Sequence, residues 1–319
     1  MPRIPPVVKF SSMQIELARG ERIVVDPQRP YAFLVEEERS ASGEVVAIAT
    51  LFLTNRECSF RCLMCDLWKN TTIEPVPPGA IPAQIDFALS QLPVARQIKL
   101  YNSGNFFDPL AIPRCDYKQV VARVQGFDNV IVENHPRLCG NDCLGFKELL
   151  NSRSNTRLEV ALGLETIHPV VLPLLNKQMT VSDFDRATTF LTDNEIAVRT
   201  FILLRPPLLG EAEGIEWALR SIEHAFDAGA SCCSVIATRS GNGIMERLEA
   251  NGAFSAPSLD SLEAVLVAGL RLGRGRVFVD LWNIEQLCRC PRCGPVRVER
   301  LRRMNLSQQP EPPVACNCR

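Results

Sequence analysis

Short apolar runs alternate with amphipathic segments along most of the chain. Seven runs are rich in Val, Ile and Leu and lack a clean alternation with polar residues, which is typical of parallel strands buried on both faces. The segments between them place apolar residues at helical spacing, most clearly in residues 180–192, 211–228 and 258–270. This order predicts right-handed βα units around a parallel sheet, either open or barrel-like. The seven runs are residues 45–53, 97–101, 129–133, 157–163, 197–204, 232–237 and 277–281.

Composition and charge exclude several classes of protein. The 319 residues are 46% hydrophobic and 22% charged, as in ordinary globular proteins. The chain has 35 Lys and Arg residues and 36 Asp and Glu residues, which gives a net charge of −1. This balance excludes a polycation that coats nucleic acid with its whole surface. No apolar run is long enough to cross a bilayer, and the Pro-rich start does not resemble a secretion signal. We therefore expect a soluble, cytoplasmic protein without membrane contact.

Cysteine usage points to metal chemistry. The chain has 13 cysteines, and in a reducing compartment metal or redox chemistry explains such a number better than disulfides do. Cys58, Cys62 and Cys65 follow the first apolar run with the spacing Cys-x3-Cys-x2-Cys. Three thiolates can hold three irons of a cubane cluster and leave the fourth iron open. A zinc site usually takes four protein ligands, and no fourth Cys or His lies nearby.

This triplet, in a loop after the first predicted strand, resembles the radical S-adenosylmethionine superfamily. The resemblance implies a [4Fe-4S] cluster whose open iron is chelated by the methionine moiety of S-adenosyl-L-methionine, which is then cleaved to a 5′-deoxyadenosyl radical. Met64 stands where the family usually has an aromatic residue. The implied fold is α/β, a partial (β/α)6 TIM-like barrel with a short Cys-rich C-terminal extension, and such barrels place their chemistry at the C-terminal ends of the strands.

Further motifs between residues 45 and 281 resemble the branch that contains the elongator catalytic subunit and the archaeosine synthase radical subunit. Asn-Ser-Gly at 102–104 takes the place of a Gly-Gly-Glu motif, and Glu-Asn-His-Pro at 133–136 resembles Glu-x-Arg-Pro, with His135 in place of Arg. Gly-Leu-Glu-Thr at 163–166 and the segment 200–210 also resemble that branch, whose archaeosine synthase modifies a 7-deazaguanine in transfer RNA. The resemblance implies that the cofactor is bound by Asn102, Ser103, Gly104, Glu133, Glu165, Lys177 and Arg199.

The last 32 residues carry five more cysteines and an Arg-rich segment. We expect at least four of these five sulfurs to share one ligation sphere, holding either zinc or a second iron–sulfur cluster. The alternative is a disordered tail. The six arginines within residues 289–303 predict either phosphate contact or a solvated helix face. The five cysteines are Cys288, Cys290, Cys293, Cys316 and Cys318.

A second, smaller pair of cysteines leaves its role open. Cys139 and Cys143 follow the third predicted parallel strand, and they fit either a site at the barrel mouth or an ordinary turn. Cys232 and Cys233 lie on a predicted strand and are expected in the core.

The chain thus divides into three predicted parts. Residues 1–44 form an N-terminal extension with one short strand, residues 45–286 the radical S-adenosylmethionine core barrel, and residues 287–319 a Cys- and Arg-rich metal-binding tail. The predicted function is a radical enzyme that acts on transfer RNA or another nucleotide-like substrate and receives electrons from a flavodoxin or ferredoxin. The alternatives are an enzyme that modifies peptides or small molecules with an auxiliary cluster, and a catalytically inert, metal-stapled RNA-binding protein.

Overall fold

The computed structural model describes residues 9–316 and residue 318. The first eight residues of the predicted N-terminal extension, and residues 317 and 319 of the predicted tail, lie outside the described residues. The strands are β1 (Ala32–Arg39), β2 (Val45–Phe52), β3 (Gln97–Tyr101), β4 (Asn129–Asn134), β5 (Arg157–Glu165), β6 (Ala197–Leu204), β7 (Cys232–Ala237) and β8 (Arg276–Val279).

Ten α-helices and four short 3-10 helices accompany the strands in the described part of the chain. The α-helices are α1 (Ser12–Leu17), α2 (Ala80–Leu89), α3 (Tyr117–Val124), α4 (Asn141–Asn151), α5 (Val171–Leu174), α6 (Val181–Asp193), α7 (Glu211–Asp227), α8 (Ile244–Ala250), α9 (Leu259–Arg271) and α10 (Gly294–Ser307). The 3-10 helices are Leu67–Asn70, Arg114–Asp116, Pro136–Leu138 and Ile284–Leu287. None of the described helices is long and apolar enough to cross a membrane.

One eight-stranded sheet runs in chain order from β1 to β8 and curls into a half-barrel. Strands β2 to β8 are parallel, and β1 pairs antiparallel with β2 from Ala32 opposite Phe52 to Arg39 opposite Val45. The predicted α/β partial barrel is confirmed, with one parallel strand for each of the seven apolar runs. The segment predicted as an N-terminal extension contributes a full-length strand of this sheet.

The two faces of the sheet differ in chemistry. Successive side chains of a strand point to opposite faces. One set, which includes Ile98, Leu100, Val130 and Val132, packs under the helices in the main core. The alternate set lines the inside of the half-barrel, where charged and aromatic side chains such as Lys99 and Tyr101 stand among aliphatic and small ones.

Local signals explain where two of the three predicted helices begin and where the third ends. Thr180 caps α6 in a capping box, because its side chain accepts from the amide of Asp183 while the Asp183 carboxylate accepts from the amide of Thr180. Ser258 caps α9 through the amide of Ser261. The chain leaves α7 through Gly229, whose φ of +107° favours glycine.

A buried ion cluster fills the N-terminal end of the half-barrel interior. Arg199 on β6 binds Glu38 on β1 at 2.5 Å and Glu159 on β5 at 2.7 Å. Lys99 binds Glu38 at 2.7 Å, and Arg276 binds Glu159 at 3.3 Å. Buried charges persist only where they are paired, so this cluster requires β1 to complete it.

A second apolar cluster packs α1 and α8 against the loop that follows β2. Leu63 of that loop lies among Ile15 of α1, Leu175, and Ile244 and Met245 of α8, all of them buried. The amide of Leu63 also donates to the carbonyl of Leu175 over 2.8 Å. These contacts fix the loop that carries the first three cysteines.

Candidate cofactor site

The cysteine triplet lies on the loop after β2, at the edge of the sheet where the parallel strands end. The Sγ of Cys58 accepts hydrogen bonds from the side chain of Asn105 at 3.1 Å and from the amide of Phe60 at 3.4 Å. The side-chain amide of Asn242 donates to the carbonyl of Cys65 at 3.3 Å. The loop is therefore held by the chain segments after β3 and β7.

The three cysteines are partly buried. Burial raises the pKa of each of them, and that of Cys62 to about 12, although the ammonium of Lys177 opposes this increase at Cys62. A buried thiolate needs a compensating positive charge, and bound iron would supply it. The donor set and its surroundings therefore fit an iron–sulfur cluster.

The turn after β3 is tied to the end of β4. A carboxylate oxygen of Glu133 accepts from the amides of Asn102 at 2.6 Å and Gly104 at 3.2 Å. Burial raises the pKa of Glu133 to about 6, and the backbone hydrogen bonds limit the increase. A Cβ at Gly104 would lie 3.3 Å from that of Cys58, so this position brings the turn against the cysteine loop.

Asn102 carries an unpaired amide at the same edge. Its side chain is fully buried, and neither Nδ2 nor Oδ1 has a hydrogen-bond partner among residues 9–316 and 318. A buried polar group without a partner costs free energy, so this amide fits a site whose partner is a bound ligand. The hydroxyl of Ser103 is already engaged by Tyr31 at 2.9 Å.

Glu165 and Lys177 form a buried ion pair at the end of β5. Their carboxylate and ammonium are 2.7 Å apart, and each side chain is 9% exposed. A Cβ at Gly163 would collide with both charged groups. Glu165 itself has a φ of +66° at a register shift between β5 and β6. Burial opposes the charge on Lys177, but Glu165 outweighs it and holds the pKa of Lys177 above its ordinary value.

His135 joins the cysteine loop to the Lys177 segment. Its ring stacks on Phe60 with centroids 3.8 Å apart, and Nε2 lies 3.0 Å from the carbonyl of Lys177. Nδ1 accepts from the amide of Arg137 at 3.1 Å, so Nε2 carries the proton. Burial lowers the pKa of His135 to about 3. His135, which replaces the expected Arg, is therefore uncharged near neutral pH and connects two segments of the site. Its contact with Phe60 was not predicted from the sequence.

Arg199 is not brought to this edge. It is 2% exposed and belongs to the ion cluster at the opposite end of the strands. Its strand partner Ala161 lies four residues before Glu165 on β5. The structure thus gathers Asn102, Ser103, Gly104, Glu133, Glu165 and Lys177 near the cysteines and gives Arg199 other partners.

A layer of aromatic rings lies between the cysteine edge and the ion cluster. Phe52 packs on Tyr101 at 6.2 Å and on Trp282 at 5.7 Å, and Tyr101 packs on Phe201 at 6.0 Å. The rings are partly exposed toward the inside of the half-barrel. Sequence reasoning missed this layer, although alternation along β3 and β6 places Tyr101 and Phe201 on the same face as the charged residues.

A cavity of about 460 Å³ adjoins the cysteine loop. The carboxylate of Glu57 binds Arg19 at 2.7 Å and Arg61 at 3.3 Å, and it also binds Arg22. Arg56 has no ion-pair partner among the described residues. The charged side chains that line the cavity are Glu16, Arg19, Arg22, Arg56, Glu57 and Arg61.

The tail arginines are mostly committed to ion pairs. Arg297 and Arg300 are buried and bind Glu263 on α9 at 2.6 and 3.1 Å, and Arg303 binds Glu311 at 2.8 Å. Both predictions, phosphate contact and a solvated helix face, are wrong for Arg297 and Arg300, because the two side chains are buried and bind Glu263.

The tail cysteines converge, except for one. Four of the five sulfurs lie within 4.8 Å of one another, which confirms the predicted convergence, and Cys288 lies outside the group.

The cysteine pair that follows β4 does not form a site of its own in the described part of the chain. The sulfur of Cys139 accepts from the side chain of Asn134 at 3.5 Å, and Cys143 is fully buried in the core.

Comparison with known sequences finds distant relatives. No family model matches the chain. The chain is 21% identical over 322 aligned positions to an uncharacterized protein of Methanocaldococcus jannaschii, covering 94% of this chain and 87% of that protein. It is 30% identical over 129 residues to archaeosine synthase subunit beta of Thermococcus kodakarensis, 39% of each chain. The same subunit of Methanosarcina acetivorans is 23% identical over 211 residues, 64% of this chain and 60% of that one.

Solved structures share the fold. Elp3 of the archaeon Methanocaldococcus infernus superposes with a TM-score of 0.51 at 15% identity, covering 70% of this chain and 59% of Elp3. SuiB of Streptococcus suis bound to S-adenosylmethionine gives 0.52 at 10% identity, covering 73% and 51%. The matches to both structures and to both archaeosine synthase subunits span less than two thirds of those proteins. The predicted resemblance to the radical S-adenosylmethionine branch of the elongator catalytic subunit and the archaeosine synthase radical subunit is confirmed by these relatives.

Proposed function

We propose that the chain is a radical S-adenosylmethionine enzyme whose cluster is held by Cys58, Cys62 and Cys65. The observation that carries this proposal is the position of the three cysteines at the C-terminal edge of the half-barrel, against the turn after β3 that carries the unpaired amide of Asn102. When bound, a [4Fe-4S] cluster and S-adenosyl-L-methionine would together supply a 5′-deoxyadenosyl radical there.

The surrounding residues position the cofactor and exclude water. Asn102 offers a donor and an acceptor, and the Glu165–Lys177 pair presents fixed charges at the end of β5. The apolar cluster of α1 and α8 covers the outer side of the cysteine loop. Such shielding prevents side reactions of a reactive intermediate with solvent.

The aromatic layer favours a planar substrate. Phe52, Tyr101 and Phe201 offer ring faces inside the half-barrel, below the cysteine edge. Bases that are taken out of a nucleic acid for chemistry are bound by stacking on such side chains. We therefore propose a nucleobase-like substrate in a transfer RNA, as the similarity to archaeosine synthase subunit beta also suggests.

The cavity beside the cysteine loop supports a nucleic-acid substrate. Four arginines and two glutamates line it, so its walls carry an excess of positive charge. Arginine is well suited to phosphate because its planar fork donates two parallel hydrogen bonds. We propose that this cavity receives backbone phosphates of the RNA, and that a flavodoxin or ferredoxin supplies the electron.

Anaerobic reconstitution with iron and sulfide tests the enzymatic proposal. The wild type should bind four irons at the triplet and form 5′-deoxyadenosine from S-adenosyl-L-methionine when reduced. Cys62→Ala should lose this iron and this product, because two thiolates do not hold the cluster through turnover. The matched control is Cys115→Ala, at an exposed cysteine outside the site, which should behave as the wild type.

The alternatives give different results in the same experiment. Undiminished formation of 5′-deoxyadenosine by Cys62→Ala would contradict the assignment of the cluster to the cysteine triplet. An inert RNA-binding protein would retain transfer RNA but form no 5′-deoxyadenosine after reconstitution. An enzyme for peptides or small molecules would form the product but bind transfer RNA no better than an unrelated protein of the same charge.

A further inference from the structure

Four sulfur atoms converge where the chain ends. Two come from the turn before α10, and two come from the last residues, after the chain has returned along that helix. The sulfurs of Cys293 and Cys318 are 3.4 Å apart. The fifth tail thiol, in Cys288, instead faces the carbonyl of Ile284 at 3.8 Å. The four converging sulfurs belong to Cys290, Cys293, Cys316 and Cys318.

The spacing of these sulfurs favours a single ion. A tetrahedral zinc with sulfur ligands at about 2.3 Å holds those sulfurs roughly 3.8 Å apart, and all four lie within 4.8 Å. An iron–sulfur cluster holds its thiolates farther apart, because several irons and sulfides lie between them. A disulfide requires about 2.05 Å, well below the 3.4 Å between the sulfurs of Cys293 and Cys318, and all four cysteines are free.

The charge around the sulfurs suits a metal held by thiolates. The exposed side chains of Arg289 and Arg292 add positive charge beside the group, which would offset the negative charge of four thiolates on one divalent ion.

The converging sulfurs lie at one end of a helix that covers an edge of the sheet. The side-chain amide of Asn305 bonds both the amide and the carbonyl of Val279, at 3.0 and 2.9 Å. Gln308 does the same at Val277, at 2.8 and 3.0 Å. An uncovered edge strand is a site for unwanted pairing. Helix α10 therefore protects the backbone of β8.

The returning segment is attached to α10 at few points. Arg303 binds the carboxylate of Glu311 at 2.8 Å, and the amide of Glu311 donates to the sulfur of Met304 at 3.3 Å. The segment from 309 to 316 is polar and Pro-rich, so it recovers little free energy by burial. Closing the loop between Cys293 and Cys316 costs chain entropy, which metal binding can offset because the free energy of binding is also free energy of folding.

We propose that Cys290, Cys293, Cys316 and Cys318 bind a single structural zinc ion, which fastens the segment that follows α10 to the first turn of that helix and thereby holds α10 on β8. The zinc site is separate from the cysteine triplet, and it does not depend on the proposed catalytic function.

Metal analysis of the purified full-length chain is the first test. Zinc and iron are counted in the wild type, in Cys290→Ser/Cys316→Ser and in Cys288→Ser as the matched control. A single zinc per chain should be present in the wild type and in Cys288→Ser, and absent from the double variant. It should also persist when Cys58, Cys62 and Cys65 are all replaced by Ala, and cobalt loaded in its place should show the intense visible absorption of a tetrathiolate site.

Hydrogen exchange of the wild type, before and after zinc is removed by a chelator, tests the structural role without any substitution. The amides of α10 and β8 should exchange faster without zinc, whereas those of α3 should not change. Retained zinc in the double variant, iron with acid-labile sulfide at these four cysteines, or disulfides among them would overturn the zinc site. Unchanged exchange in α10 after zinc removal would overturn the fastening role.

Discussion

At the residue scale, the candidate site depends on charges that are largely shielded from water. Glu165 and Lys177 are each 9% exposed, and their charged atoms are 2.7 Å apart. Gly163 leaves the space that the pair occupies. Removing one partner of a buried pair leaves an uncompensated charge, whereas removing both does not. Comparing a variant that lacks one partner with a variant that lacks both therefore distinguishes a structural role of the pair from a role in cofactor binding.

Glu165→Gln should lower the free energy of unfolding by about 3 kcal/mol, because Lys177 loses its counter-charge. It should also weaken binding of S-adenosyl-L-methionine to the reconstituted protein by about 1–3 kcal/mol, the loss expected for a charge-assisted hydrogen bond. Urea unfolding and equilibrium binding measure the two effects. The double variant Glu165→Gln/Lys177→Met should recover the free energy of unfolding but not the affinity for S-adenosyl-L-methionine. An unchanged affinity in Glu165→Gln alone would show that the pair has a purely structural role.

The cysteine triplet could be predicted from single residues, but the contacts that hold its loop in place could not. The spacing of Cys58, Cys62 and Cys65 is a local property of the sequence. The stacking of Phe60 on His135 joins residues 75 positions apart, and no periodicity of either segment indicates it. The same holds for the unpaired amide of Asn102, since a missing partner is visible only after every neighbour has been placed.

At the element scale, β1 shows how charge patterning misleads. Glu36, Glu37 and Glu38 resemble a solvated acidic patch, but only Glu36 and Glu37 are exposed, and Glu38 is buried inside the half-barrel. Arg199 and Lys99 bind it there. Burial would raise the pKa of Glu38, but the two cations outweigh it and hold that pKa far below its ordinary range.

Glu38→Gln should therefore lower the free energy of unfolding by about 3–5 kcal/mol, as expected when one member of a buried ion cluster is removed. Glu37→Gln on the same strand is the matched control, because Glu37 is exposed, and it should change stability by less than about 0.5 kcal/mol. Chemical denaturation of both variants measures the difference. Equal effects would show that the cluster does not stabilise β1.

The same carboxylate predicts a pH dependence. A carboxyl group whose pKa is depressed in the folded state stabilises the fold at pH values above its unfolded pKa, and this contribution is lost as the pH falls toward the folded pKa. The ordinary value for Glu38 is 4.5. The unfolding free energy of the wild type should thus decrease as the pH falls below that value, and the slope should be shallower in Glu38→Gln. Parallel slopes would assign the acid sensitivity to other groups.

At the scale of the whole molecule, positive charge is concentrated beside the cysteine loop although the net charge is −1. Arg56 lines the cavity there and has no ion-pair partner among the described residues. Arg153 is also exposed but follows α4, before β5, and thus lies toward the opposite end of the strands. The two arginines form a matched pair for locating the RNA surface.

Arg56→Ala should weaken binding of a transfer RNA. It should also reduce the slope of the logarithm of the association constant against the logarithm of the salt concentration by about 0.9, the value for one phosphate contact on duplex nucleic acid. Arg153→Ala should leave both quantities unchanged. Filter binding of a transfer RNA transcript at several salt concentrations measures them. If both variants bind as the wild type does, the cavity does not contact phosphate.

The sequence by itself determined the order of the parallel strands, the helices between them, the cysteine triplet and the crowding of thiols in the tail. These features depend on local periodicity, capping and spacing, which are set by neighbours along the chain. Only the tertiary structure decided that β1 completes the ion cluster, that Arg199 lies at the far end of the strands and that Cys288 is excluded from the tail group. Those outcomes depend on which distant side chains share a buried volume, because an interior charge or thiol is stabilised only by the partners that the fold brings to it.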